Sequence, residues 1–83
     1  MSFTLYTKVN CSACSNAKRF LEAKGLDYTT LNVPTDADTQ MIQERVTEAG
    51  SDHIVKTVPQ IFLGEKYIGG VIDLVSFVNG WPT

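Results

Sequence analysis

The chain is 83 residues long and 43 % apolar, with seven basic and nine acidic side chains for a net charge of −2. That length fits one domain spanning residues 1–83, and the lack of any basic run sets aside nucleic-acid binding, which draws its affinity largely from neutralised phosphates. No apolar stretch approaches the ~20 residues of a membrane-spanning helix, so neither a nucleic acid nor a membrane is expected as a partner, and the domain is expected to be a monomer.

Phe3 to Thr7 is short, aromatic and β-branched, and reads as a strand. Met1 to Thr7 lacks the charged, long apolar and small-residue regions of a secretory signal, which points to a cytoplasmic location. Ala13, Ala17, Phe20 and Leu21 recur at i, i+4, i+7 and i+8, the stripe of a first helix that Gly25 ends. Tyr28 to Val33 reads as a second strand stopped by Pro34. Asp36, Asp38 and Thr39 then offer caps and negative charge to a second helix. Its inner stripe is Ile42, Val46 and Ala49, and Gly50 follows its end. Beyond a polar loop, Gln60 to Leu63 and Lys66 to Ile68 read as strands. Gly64-Glu65 joins them, glycine accepting the positive φ of a type II′ turn. Val71, Leu74, Val75 and Val78 give a third helix, closed by Gly80 and Pro82. The order βαβαββα, with a right-handed crossover and a final hairpin, predicts an α/β fold: one four-stranded mixed sheet with three helices on its faces.

Cys11 and Cys14 are the only cysteines, and they sit where the first strand runs into the first helix. As a staple they are poor, because closing so short a loop removes only about 2 kcal/mol of unfolded-state entropy. As a reactive pair they are well placed. Free N–H groups and the positive end of the helix dipole stabilise an anion at a helix N-terminus, and such a site lowers a thiol's pKa. Cys11, at or just before the first turn, is the candidate nucleophile; Cys14, further in, is the candidate resolving thiol. Lys8 adds positive charge three residues before Cys11. A structural zinc site wants four Cys or His ligands, and two cysteines plus the distant His53 fall short, so no bound metal is expected. His53 itself reads as a loop residue.

Lys8-Val9-Asn10-Cys11-Ser12-Ala13-Cys14, Lys56-Thr57-Val58-Pro59-Gln60-Ile61-Phe62, Ile68-Gly69-Gly70 and Asp73-Leu74 together resemble a glutaredoxin of the dithiol type, over nearly the whole chain. The resemblance implies a thioredoxin-like fold and a thiol–disulfide oxidoreductase, with glutathione as co-substrate and disulfide-containing or glutathionylated proteins as substrates. It implies a cis peptide before Pro59, in Thr57-Val58-Pro59, beside the sulfurs. It assigns to the backbone of Val58 the pairing with glutathione's cysteine. Gly69-Gly70, where the last strand meets the third helix, takes the γ-glutamyl end, and Lys8 and Gln43 take the glycyl carboxylate.

Three departures from the family pattern stand out. Ser12 and Ala13 replace the Pro-Tyr that many dithiol members carry, which opens access to the sulfurs and frees a backbone N–H at the helix start. Ile72 stands where members commonly place Ser or Asp, leaving the backbone of Val71 and Ile72, with Asp73 one residue later, to hold the γ-glutamyl group. Two other readings stay open on these residues. One is an electron donor to ribonucleotide reductase recycled by thioredoxin reductase, which Ile72 admits. The other is a glutathione-ligated [2Fe–2S] carrier, as in family members with Ser in place of that Pro.

Overall fold

The computed structural model of the chain describes residues 2–80. Its elements are β1 (Phe3–Thr7), α1 (Ser12–Ala23), β2 (Tyr28–Asn32), α2 (Thr39–Glu48), β3 (Gln60–Leu63), β4 (Lys66–Gly69) and α3 (Val71–Asn79). They form one sheet in the order β2-β1-β3-β4, with β1 parallel to β2 and the pairs β1–β3 and β3–β4 antiparallel. This is the mixed four-stranded architecture that the sequence pattern predicts.

The two-residue period of the strands sorts their side chains onto two faces. Phe3 and Leu5 of β1 and Ile61 of β3 pack with Ala17 and Leu21 of α1 and Leu74 and Val78 of α3. Tyr6 and Phe62, each one step along, turn to the opposite face and meet Ile42 and Val46 of α2 together with Ala37 and Val55. The sheet is therefore covered on both sides, by α1 and α3 on one face and by α2 on the other. Full burial of each large side chain contributes roughly 1.5–3 kcal/mol, which is how so short a chain holds together.

Helix ends follow their local chemistry. Asp38 caps α2, its carboxylate accepting the Met41 N–H at 2.8 Å. Asp36 serves another end, accepting the Asn32 N–H at 2.8 Å as β2 finishes. Past α1, Leu26 N–H reaches back to the Leu21 carbonyl at 2.9 Å around Gly25, and Ser51 N–H does the same to Val46 at 3.2 Å around Gly50. In the hairpin Gly64 takes a φ of 59° and Glu65 does not follow it to positive φ, the signs of the expected II′ turn.

Some boundaries differ from the pattern. Ala49 is not part of the inner stripe of α2: it is the C-cap and is exposed, because the helix ends one residue before it could turn inward. Val33 lies beyond β2, although its N–H still donates to the Thr7 carbonyl at 2.7 Å. Strand β4 continues to Gly69. The Val33–Pro34 peptide is cis, as is Val58–Pro59; only the second had a motif to announce it. Pro82 lies outside the described residues.

Polar cross-braces tie α2 and its following loop to the sheet. Arg45 donates to the Tyr6 hydroxyl at 2.6 Å and to the Gly64 carbonyl at 3.0 Å, with its guanidinium 4.3 Å from the centre of the Phe62 ring. Gln43 holds the loop, donating to the His53 carbonyl and accepting from Val55 N–H, both at 2.8 Å. A third brace runs from Tyr67, whose hydroxyl donates to Gln60 Oε1 at 2.6 Å, through Gln60 Nε2, which donates to the Thr57 carbonyl at 2.8 Å. Burial and, secondarily, the charge of Asp73 hold the Tyr67 phenol above its ordinary pKa of 10.0.

Arg45→Ala removes two charge-assisted bonds and cation–π contacts with Phe62 and Tyr6, and is expected to cost about 1–2 kcal/mol in urea unfolding. Arg45→Lys recovers only part of that, because an ammonium cannot reproduce the planar fork that bridges two acceptors over a ring. The Tyr67 phenol gives a pH signature. The unfolded phenol ionises first, near 10, so its contribution is intact below that value and is lost as pH rises towards the higher folded pKa. Tyr28, hydrogen-bonded to Glu22, is shifted in the same direction. Urea midpoints between pH 9 and 11 are therefore expected to fall less steeply in Tyr67→Phe than in wild type, with the Tyr28 share of the slope retained.

Candidate functional site

Strand β1 ends on buried Thr7, and Asn10 turns the chain with a φ of 57°, a left-handed conformation that Asn tolerates better than most residues. That turn sets Cys11 at the N-cap of α1. Its sulfur accepts the Cys14 N–H at 3.2 Å, in the place usually taken by a Ser or Asp oxygen. Cys14 follows one helical turn later and is 1 % exposed, while Cys11 remains part-exposed. The two are joined as a disulfide with their Cα atoms 5.3 Å apart. The outer sulfur is the one open to solvent, and the inner one is shielded by the fold.

The loop before β3 comes to the same place. Cys11 Sγ lies 4.0 Å from the Val58 carbonyl oxygen, across 47 residues of chain. Val58–Pro59 is the cis bond that the motif implies, and Pro59 is buried. The Gln60 amide, 2 % exposed, fixes the Thr57 carbonyl and so holds the loop from beneath. Gly70 packs alongside: a Cβ added there would stand 3.9 Å from the Pro59 carbonyl oxygen.

At the start of α3 the Asp73 carboxylate accepts the Gly70 N–H at 3.1 Å. Gly69 makes this possible. Its φ is 121°, and a Cβ there would meet Asp73 Oδ2 at 2.5 Å, so a side chain would expel the capping carboxylate. Ile72, by contrast, is 82 % exposed.

Two clefts flank this centre. One, of about 700 Å³, includes Thr57, Pro59, Gln60, Tyr67, Gly70 and Asp73 among its walls. The other, of about 580 Å³, has Lys8, Cys11 and Cys14 in its lining. Val58 stands against Cys11, while Gln43, Val71 and Ile72 line neither cleft. The Gln43 amide is engaged with His53 and Val55 in the loop. His53 stacks on Tyr67 with ring centres 5.9 Å apart. The sequence pattern did not single out Gln60 or Tyr67. The available signal was a polar residue opening an otherwise apolar strand, Gln60-Ile61-Phe62-Leu63, since a buried amide requires partners. Among the described residues, no group of three or more His, Cys, Asp or Glu side chains is arranged to hold a metal ion, and no helix is long and apolar enough to cross a membrane.

Comparison with known proteins agrees with this geometry. A sequence model of the glutaredoxin family matches residues 3–68. Glutaredoxin 3 of Escherichia coli (strain K12) is 37 % identical over 72 residues, which cover 87 % of this chain and 80 % of that protein. A glutaredoxin of Pseudomonas aeruginosa is 37 % identical over 70 residues, covering 84 % and 76 %. Among solved structures, reduced Escherichia coli glutaredoxin superimposes with a TM-score of 0.76 at 26 % identity, covering 95 % of this chain and 94 % of that one. A buckwheat glutaredoxin–glutathione complex gives 0.69 at 27 % identity, covering 93 % and 67 %. With the Cys11–Cys14 pair at the head of α1 and a family match over most of its length, the chain belongs to the glutaredoxins, a family of thiol–disulfide oxidoreductases.

Proposed function

We propose that this protein uses glutathione to reduce protein disulfides and glutathione mixed disulfides through the Cys11/Cys14 dithiol. The observation that carries the reading is a part-exposed sulfur at a helix N-cap, bridged to a buried sulfur one turn on and set against the Val58 carbonyl. The similarity to a glutaredoxin whose structure holds glutathione supports the choice of co-substrate.

In the reduced protein the Cys11 thiolate attacks one sulfur of a protein disulfide, forming a mixed disulfide and releasing a protein thiolate, which takes up a proton. Cys14 loses its proton and attacks the Cys11 sulfur; the second protein thiol leaves and the Cys11–Cys14 disulfide closes. Two electrons and two protons have passed to the substrate. Two glutathione molecules then reopen the bridge and leave as glutathione disulfide. With a glutathionylated substrate Cys11 takes the glutathionyl sulfur, and a second glutathione releases it without Cys14.

The proposed recognition residues each have a physical rationale. Val58 lies outside the β3 ladder, so its backbone is positioned to pair with glutathione's cysteine as an added strand. Thr57 and Pro59 shape that loop, with Gln60 and Tyr67 bracing it. Asp73 occupies the Gly70 N–H, which leaves the N–H groups of Val71 and Ile72, at the head of α3, for the γ-glutamyl carboxylate. Lys8 takes the glycyl carboxylate. Gln43 is proposed for the same carboxylate from α2, while its amide also holds the loop through His53 and Val55. A cytoplasmic location belongs to the same proposal, since a reversible dithiol works where glutathione keeps thiols reduced. Ribonucleotide reductase is an acceptor that this dithiol cycle admits.

Cys11→Ser is expected to bring both activities to the uncatalysed rate. Cys14→Ser is expected to keep deglutathionylation and lose reduction of protein disulfides. Both are read by NADPH consumption coupled through glutathione and glutathione reductase. Turnover that requires thioredoxin reductase and ignores glutathione would replace the proposed electron donor.

A further inference from the structure

The proposed glutathione groove accounts for the side of the dithiol facing Val58 and Gly70. Of the 580 Å³ cleft that holds both sulfurs it uses only Lys8, for the glycyl carboxylate; the remaining walls include Asn10, Ser12, Ser15, Lys18 and Asn32. Among the described residues no acidic side chain lines this cleft, although the chain as a whole carries a net charge of −2. The neighbouring groove is mixed, with Asp73 as well as Lys66 in its walls.

Lys18 lies four residues after Cys14, on the same face of α1 and one turn further in, and is half-buried. Among the described residues neither Lys8 nor Lys18 has a carboxylate partner. Asn32 Oδ1 accepts the Thr7 hydroxyl at 3.4 Å, which leaves the side-chain amide hydrogens as donors in the same wall. Two unneutralised cations and several donors thus converge beside the reacting sulfurs.

We propose that this cleft docks the acidic segment of a protein substrate, carboxylate side chains next to the substrate's disulfide pairing with Lys18, and with Lys8 before glutathione takes it, as the disulfide meets Cys11. Lys18 is then a specificity-determining residue distinct from the glutathione contacts. The proposal rests on the thiol–disulfide reading and is independent of which reductant recycles the protein. Each exposed ion pair is weak and screened by salt, so the effect is on encounter and selectivity among substrates, with the chemical step unchanged.

The test uses pre-reduced protein in single turnovers, so that no recycling system enters. Two short cyclic disulfide peptides, identical except that Glu and Asp flank the cysteines in one and Gln and Asn in the other, are each reduced to the dithiol while Cys11–Cys14 closes. At low ionic strength wild type is expected to reduce the acidic peptide about three- to tenfold faster than the neutral one. Lys18→Gln narrows that ratio, Lys18→Glu brings it to one or below, and Lys18→Arg keeps it. Added salt at about 0.5 M, where the screening length is only a few ångströms, collapses the wild-type ratio. A wild-type ratio of one at low salt, or the wild-type ratio persisting in Lys18→Glu, overturns the proposal while leaving the oxidoreductase reading intact. Equal slowing of both peptides in Lys18→Glu overturns it too. Failure of wild type to reduce either peptide contradicts the oxidoreductase reading and this proposal with it.

Discussion

An α-helix begins with backbone N–H groups that its own turns cannot satisfy, and whatever stands at the N-cap has to meet them. At α1 that group is the Cys11 sulfur, accepting the Cys14 N–H. The rest of the structure can be understood as what keeps a sulfur in that position. Strand β1, buried between two strands and under helices on both faces, delivers the chain to Asn10, whose turn aims it into the helix. Ala17 and Leu21, on the inner stripe of α1, lock the helix to the sheet, so the cap cannot swing away. An N–H that supports a sulfur in the disulfide supports a thiolate better, because a charged acceptor forms the stronger hydrogen bond. The same contact therefore stabilises the thiolate form that the proposed mechanism uses.

The surroundings divide the work around that sulfur. On one side a braced loop, Thr57-Val58-Pro59, and the head of α3 offer backbone groups, which suits a small peptide co-substrate recognised by shape and main-chain pairing. On the other stand the side-chain cations Lys8 and Lys18, the first of them shared with glutathione's glycyl carboxylate in the proposed cycle. Glutathione has the same form in every cycle, whereas protein substrates vary, and a fixed backbone site with a softer electrostatic one beside it matches that difference. The replacement of Pro-Tyr by Ser12-Ala13 fits this arrangement, since Ser12 lines the cationic cleft and Ala13 is too small to wall it off.

Element order was legible because both periods are clean: Phe3/Leu5 against Tyr6 in β1, and Ala17/Leu21 in α1, left little ambiguity about which faces turn inward. Local chemistry marked the cap at Asp38 and the hairpin at Gly64-Glu65. Less visible was anything that depends on contacts distant in sequence. Ala49 fits a helical stripe by spacing alone, yet the helix stops before it can turn inward. Gln43 has the residue type of a ligand contact, yet it holds Val55 and His53. The Gln60–Tyr67 brace joins two strands through a hairpin, and only their pairing reveals that a phenol and an amide meet over the Thr57 carbonyl. Lys18 was an ordinary member of a helix until α1 and the end of β2 enclosed a cleft around the dithiol.

The central claim is that the N-cap position makes Cys11 the thiolate nucleophile, and the rate of alkylation by iodoacetamide as a function of pH tests it directly. It is measured on Cys11 in reduced Cys14→Ser protein and on Cys14 in reduced Cys11→Ser protein. The account predicts half-maximal reactivity of Cys11 well below about 8.5, the ordinary thiol value, with Cys14 slow across the same range. A Cys11 profile centred at or above that value, or one indistinguishable from that of Cys14, would contradict it.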